Sequence, residues 1–264
     1  MNQAAQGGYL QIVEWLHANR KEGCTRAAMS LAAGSGHLNV VKWLQANRTE
    51  GCTVDAMDKA AQNGHLHVLQ WLHACRSEGC TVDAMDWAAR DGHLEVVQWL
   101  HENTTVGCTV AAMDEAARNG HLDVVTWLHE NREEGCTTNA LNGAAANGHL
   151  SVVQWLDKNR GEGGTTDAMD FASKNGHLEV VKYLHFSPTR KEGCTTNAMD
   201  YAAHNGHLEL MQWLDANREE GYTRAAVDYA RFYDQVHVVA WLRNKEGNKK
   251  QCDRNLAFQR CRSI

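Results

Sequence analysis

Proline is almost missing from this chain: Pro188 is the only one among 264 residues. Proline interrupts helix interiors, so its scarcity leaves most of the chain free to be helical. Long apolar runs are missing as well. No 18 consecutive apolar residues occur, so no membrane span is expected. The opening stretch, "MNQAAQGGYLQIVEWLHANRK", lacks a basic leader followed by an apolar core, so no secretory signal is expected either. That places the nine Cys in a reducing compartment, with the cytoplasm as the expected location and the nucleus as the alternative. Neither Cys-x-x-Cys nor His-Glu-x-x-His is found, and no phosphate loop or nucleophile elbow can be picked out. Phe is scarce at four, whereas Trp is abundant at nine.

The Trp residues reveal what is there. Trp15, Trp43, Trp71, Trp99, Trp127 and Trp155 fall 28 residues apart, Tyr183 takes the next place, and two inserted residues precede Trp213 and Trp241. A period of this size marks a stacked array. Full units begin at Gly23, Gly51, Gly79, Gly107, Gly135, Gly163, Gly193 and Gly221, after a partial unit over 1–22. Met1 stands where later units place Met57 or Met85, so the chain is expected to open inside a first helix, as a truncated array would. The array is expected to span 1–246 and a basic tail 247–264.

One unit, "GCTVDAMDWAARDGHLEVVQWLHENTTV" (79–106), reads as two helices. Thr81 is a sound N-cap for the first, with Asp83 in its first turn, where the helix dipole favours an anion. Gly92 supplies the left-handed residue that ends it. The second runs from His93 to about Asn103. Its Leu94, Val96, Val97, Trp99 and Leu100 cover more than half of the helical wheel, which predicts burial on several sides. Trp99 and its equivalents are expected to hold the stack together.

"NGHLEVV" (175–181) and "AARDGHLEVV" (88–97) resemble the ankyrin repeat, and the likeness recurs in every unit. Two features depart from the family. "TVDAMD" (81–86) replaces the usual Thr-Pro-Leu-His opening, and the 28-residue unit drops the residues of the β-hairpin finger, leaving only stretches such as "REEG" (132–135) between units. The resemblance implies an all-α, ankyrin-like helical solenoid of stacked helix-turn-helix units, with little or no strand.

Catalytic and metal readings fail on distance. Cys24, Cys52, Cys80, Cys108, Cys136 and Cys194 recur once per unit. Adjacent helices pack about 8–10 Å apart, too far for a disulfide or a shared tetrahedral metal. Small packed thiols are the expectation, with no metal and no cofactor. His93 and its equivalents are expected to be neutral and hydrogen-bonded to the next unit's loop. Enzymatic chemistry, metal-dependent or redox, is the remote alternative. The net charge of −6 argues against a nucleic-acid surface. The tail holds most of the local excess of Lys and Arg, so the repeat body is more acidic than the whole.

Variation between units points to the surface that packing leaves free. Met85, Ala88 and Ala89 should face inward, and Asp83, Asp86, Trp87 and Arg90 outward. At the place of Trp87 stand Glu115, Phe171, Tyr201 and Tyr229, and at that of Arg90 stand Lys174, His204 and Phe232. Asp58, Asp86, Asp114, Asp170, Asp200 and Asp228 form an expected acidic row beside them. Large aromatic residues on an exposed face suit interface anchors rather than surface drift. In the ankyrin family this face lines a concave groove for protein partners. The expectation is a monomeric, non-catalytic scaffold whose acidic, aromatic groove binds a basic or amphipathic segment, without nucleic acid or membrane. The alternative is a spacer arm of a larger protein. "HFSPTRKE" (185–192) should end its helix early and bulge, as a contact loop or a tolerated insertion. The last unit, which loses Asn-Gly-His, should close the stack.

Overall fold

The computed structural model describes residues 1–245, and every regular element among them is helical. The expected basic tail, 247–264, lies outside the described residues. The first helices of successive units are α1 (Asn2–Gln6), α3 (Ala27–Gly34), α5 (Asp55–Gln62), α7 (Val82–Arg90), α9 (Val110–Arg118), α11 (Thr138–Ala146), α13 (Thr166–Lys174), α15 (Asn197–Asn205) and α17 (Arg224–Phe232). Their partners are α2 (Leu10–Asn19), α4 (Leu38–Asn47), α6 (Leu66–Cys75), α8 (Leu94–Asn103), α10 (Leu122–Asn131), α12 (Leu150–Asn159), α14 (Leu178–Phe186) and α16 (Leu208–Asn217). A further helix, α18, is described over 236–245.

The two rows pack differently. First helices lie tightly against first helices, because Ala60, Ala61, Ala88, Ala89 and their equivalents bring the backbones close. Second helices meet one another only lightly. Met85 with Ala88 and Ala89, and Val96, Val97 and Leu100, form the buried core of their unit as the wheel predicts. Trp99 does not join them fully: it and its internal equivalents are half-buried, and Trp15 is 57% exposed. Each of Trp43, Trp99, Trp127, Trp155 and Trp213 instead sets its ring edge-on to a His of the preceding unit, at centroid distances of 5.2–5.3 Å. The tryptophans seal the seam between second helices, and the aliphatic side chains fill the core.

Thr81 Oγ1 accepts from Asp83 N at 3.2 Å, the expected N-cap. Gly92 has φ +80°, the expected left-handed end, and a second reason to be Gly. A Cβ there would stand 2.5 Å from the His121 ring of the next unit. The histidines correct their expected partner. They reach backward, to the carbonyl that ends the preceding unit's first helix, rather than forward to a loop. His207 Nε2 lies 3.1 Å from Lys174 O, and His65 and His149 bond to Gly34 and Arg118 in the same way. Asn63, Asn119, Asn147, Asn175 and Asn205 donate to the same row of carbonyls at 2.5–2.8 Å. Burial pushes the His65, His149 and His177 imidazoles below their usual range, which favours the neutral ring.

The unit at Gly221 breaks this pattern. Exposed Arg231 takes the place of buried Ala203, and Asp234 takes that of Gly206 while keeping a positive φ of 55°. A side chain thus stands where a following unit's imidazole would lie.

Candidate partner-binding face

The outward positions of the first helices divide into two sets with different fates. Asp58, Asp86, Asp114, Asp170 and Asp200 do not form an exposed acidic row. They are buried, with Asp86 the most accessible at 8%. Each carboxylate is occupied by the Thr that opens the next unit. Thr109 N donates to Asp86 Oδ1 at 2.8 Å and Thr109 Oγ1 to Oδ2 at 2.6 Å. The Thr oxygen in turn accepts from Ala111 N at 3.1 Å, so one carboxylate fixes the cap of the following helix. The same pairs join Asp58 to Thr81, Asp114 to Thr137, Asp170 to Thr195 and Asp200 to Thr223. The wheel gave the right direction for these side chains, but the neighbouring rung covers them. Asp228 has no such Thr among the described residues; it is exposed and lies 3.5 Å from Arg224.

Burial pushes the Asp58, Asp86 and Asp170 carboxyls above their usual range, against the pull of the Thr hydrogen bonds. Where the row holds Asn142 instead, the geometry survives. Thr165 N donates to Asn142 Oδ1 at 2.9 Å, and Asn142 Nδ2 donates to Thr165 Oγ1 at 3.0 Å.

The remaining positions differ along the stack. Toward the amino end they pair with one another: Lys59 with Asp55 at 3.8 Å, Arg90 with Asp91 through two bonds of 2.9 Å, and Arg118 with Glu115 at 3.3 Å. Trp87 is half-buried. From α13 onward the surface is aromatic. Phe171 and Tyr201 are near-parallel, with centroids 6.5 Å apart and planes within 7°. Lys174 Nζ stands 5.5 Å from the Tyr201 ring. His204 bridges to the next helix, 5.6 Å from Tyr229 and 4.0 Å from Tyr233. Phe232, 80% exposed, meets Tyr233 at 4.9 Å. Residues expected on three separate helices therefore form one surface. Tyr233 was not among the expected residues. Its signal lies in "RFYD" (231–234), where a ring replaces the Asn that earlier units use against the preceding carbonyl.

The thiols that recur at the head of most units are held in the packing. Cys52, Cys108, Cys136 and Cys194 are buried, and burial pushes Cys80, Cys108, Cys136 and Cys194 up to about 11, so the reactive thiolate is suppressed. Among the described residues no group of three or more His, Cys, Asp or Glu could hold a metal ion. Among them, too, no helix is long and apolar enough to cross a membrane.

The family described as ankyrin repeats (3 copies) matches residues 1–86 and 113–200, and that described as ankyrin repeats (many copies) matches 85–129. A comparison with curated proteins returned no match. Ankyrin repeats are generally protein–protein interaction modules. With the family pattern covering most of the chain and paired helices stacked throughout its described length, the chain belongs to the ankyrin-repeat family.

Proposed function

We propose that this chain is a non-catalytic scaffold that binds a protein partner on the first-helix face, through Phe171, Lys174, Tyr201, His204, Tyr229, Phe232 and Tyr233. The observation that carries the reading is the continuous aromatic surface over α13, α15 and α17. Exposed large rings on rigid helices lose little entropy on contact and suit interface anchors. A stack whose first helices sit closer than its second helices bends toward the first row, which supports a groove along that face.

The partner's chemistry narrows with the aspartates. Buried and hydrogen-bonded to Thr, they offer no carboxylate for direct contact, so the partner contributes an amphipathic, mainly apolar segment rather than one held by ion pairs to these Asp. Asp228 is the member of the row left for contact, beside Arg224.

Affinity capture with the wild-type chain beside a triple variant, Phe171→Ser, Tyr201→Ser and Tyr229→Ser, tests the reading once circular dichroism shows equal folding. A protein held by the wild type and lost by the variant is the expected result. Its purified affinity should fall by at least about 30-fold, the scale of a 2 kcal/mol anchor. Identical captures would leave the array as a spacer arm.

A further inference from the structure

The second-helix side carries a different feature, at the step between α12 and α14. At most steps of the seam a Trp ring closes on a His of the preceding unit, as Trp155 does on His129 at 5.2 Å. Here Tyr183 stands in the Trp place and Asp157 in the His place. Tyr183 Oη donates to Asp157 Oδ2 at 2.8 Å, so the smaller ring is tied to a carboxylate instead of stacked on an imidazole. The inserted segment folds onto the same group. Ser187 Oγ and Thr189 Oγ1 each donate to Asp157 at 2.6 Å, and Arg190 Nε closes the pair. Asp157 is thereby saturated, and it anchors a wall rather than offering a contact.

An open cleft of about 850 Å³ results, within the range typical of ligand sites. Its apolar surface comes from Leu150, Tyr183, Phe186 and Pro188. Phe186, the last residue of the shortened helix, is 69% exposed. Leu150, Gln154 and Lys158 line one side at successive turns of α12, a stripe about 12 Å long at 1.5 Å per residue. That length matches about four residues of extended peptide at 3.3 Å each. The charges at the rim are unequal. Lys182 is engaged by Glu179 at 2.7 Å, whereas Lys158 is exposed with no carboxylate partner among the described residues. An unneutralised ammonium beside an apolar cleft complements an anion attached to an apolar group.

We propose that this cleft is a second docking site, for a short peptide segment of a partner protein that combines a large apolar side chain with an acidic residue. The apolar side chain packs against Leu150, Tyr183 and Phe186, and the carboxylate meets Lys158. The site faces away from the aromatic surface and uses none of its residues, so the two readings stand or fall separately.

Fluorescence anisotropy with fluorescein-labelled peptides, each carrying Phe, Leu or Trp two residues from a Glu, tests it on the full chain. Saturable binding by at least one peptide is expected. Lys158→Glu and Phe186→Ser should each weaken it 10-fold or more, Phe171→Ser on the other face should not, and replacing the peptide's Glu by Lys should remove it. Lys158 and Phe186 are exposed, so both variants should fold, which circular dichroism checks. Binding that survives both substitutions, equal binding of the Lys peptide, or no saturable binding by any peptide overturns the proposal. So does concentration-dependent self-association abolished by the same two substitutions, since the occupant would then be a second copy of the chain.

Discussion

Asp86 shows how one side chain does three jobs: it satisfies a backbone N–H, orients a hydroxyl, and through that hydroxyl caps the next helix. The charge itself adds nothing favourable. Burial raises this carboxyl above its usual range, so the folded chain binds its proton more tightly than the unfolded chain does. The ionisation therefore opposes folding increasingly as pH rises through that window. Asn142 already bonds to the same two Thr groups without charge, its Nδ2 donating to Thr165 Oγ1 where an Asp oxygen would accept. Asp86→Asn should accordingly stay within about 1 kcal/mol of wild type at neutral pH, whereas Asp86→Ala should cost about 1–3 kcal/mol by stranding Thr109 N. Urea unfolding of the two variants separates these outcomes. A similar contrast applies to two glycines. Gly79 and Gly92 both have positive φ, but a Cβ at Gly79 meets nothing within 4 Å, while one at Gly92 meets His121. Gly79→Ala should cost about 1 kcal/mol for the backbone alone. Gly92→Ala should cost clearly more, at least about 2 kcal/mol, since the next rung must also shift. Equal melting temperatures for the pair would remove the imidazole from the account.

At the scale of the helix, most of the fold was legible and some of its surface was not. The 28-residue beat, the Thr caps and the Gly ends made the paired helices of the repeat legible, because those signals act within a few residues of one another. Burial across the seam between units was harder. A helical wheel says that Asp86 points away from its own unit, but not that the next unit's Thr109 lies there. It likewise says that Trp99 is on an apolar face, but not that second helices stand too far apart to enclose it. Trp99→Ala should therefore cost about 2 kcal/mol, less than a fully buried ring, while Leu100→Ala in the same helix should cost about 3 kcal/mol or more. Chemical denaturation of both variants decides the order. The inserted segment after α14 has its own signature. Burial alone would raise the Asp157 carboxyl, but bonds from Ser187, Thr189, Arg190 and Tyr183 overcome it and hold the group at about 2, against an ordinary 3.8. Its contribution, roughly 2 kcal/mol, is present above the ordinary value and lost as pH falls through about 2. The difference in stability between wild type and Asp157→Asn should shrink across that acid window and be largest at neutral pH, as read from denaturation midpoints.

For the whole molecule, the redistribution of charge matters more than its total. The chain is acidic at −6, yet the carboxylates aligned along the first helices are engaged by Thr, and Arg90, Arg118 and Arg224 each have an acid beside them. On the aromatic surface Asp228 is paired with Arg224, and Lys174 stands over the Tyr201 ring. Association there should be nearly indifferent to salt, changing by less than roughly threefold between 50 and 300 mM NaCl, because screening has few exposed charges to act on. A steep decline measured for a captured partner would mean that the charge of the buried aspartates still acts on it. The aromatic positions themselves were legible in the sequence, since each is a departure from a repeated unit. Their union into one surface required knowing the spacing of the rungs.

The same three addresses, an Asp or Asn, a Gly and an Asn-Gly-His, join nearly every rung to the next, and this bears on how such a chain changes over generations. A unit copied or deleted anywhere among the regular ones leaves matching surfaces on both sides of the join, so recombination between units can alter length without breaking the seam. A unit copied to follow Gly221–Asp234 would meet Arg231 and Asp234 where Ala and Gly are needed. Copying is therefore easier through the interior of the array than after the unit carrying Tyr229 and Phe232, which leaves the aromatic surface that unit completes undisturbed.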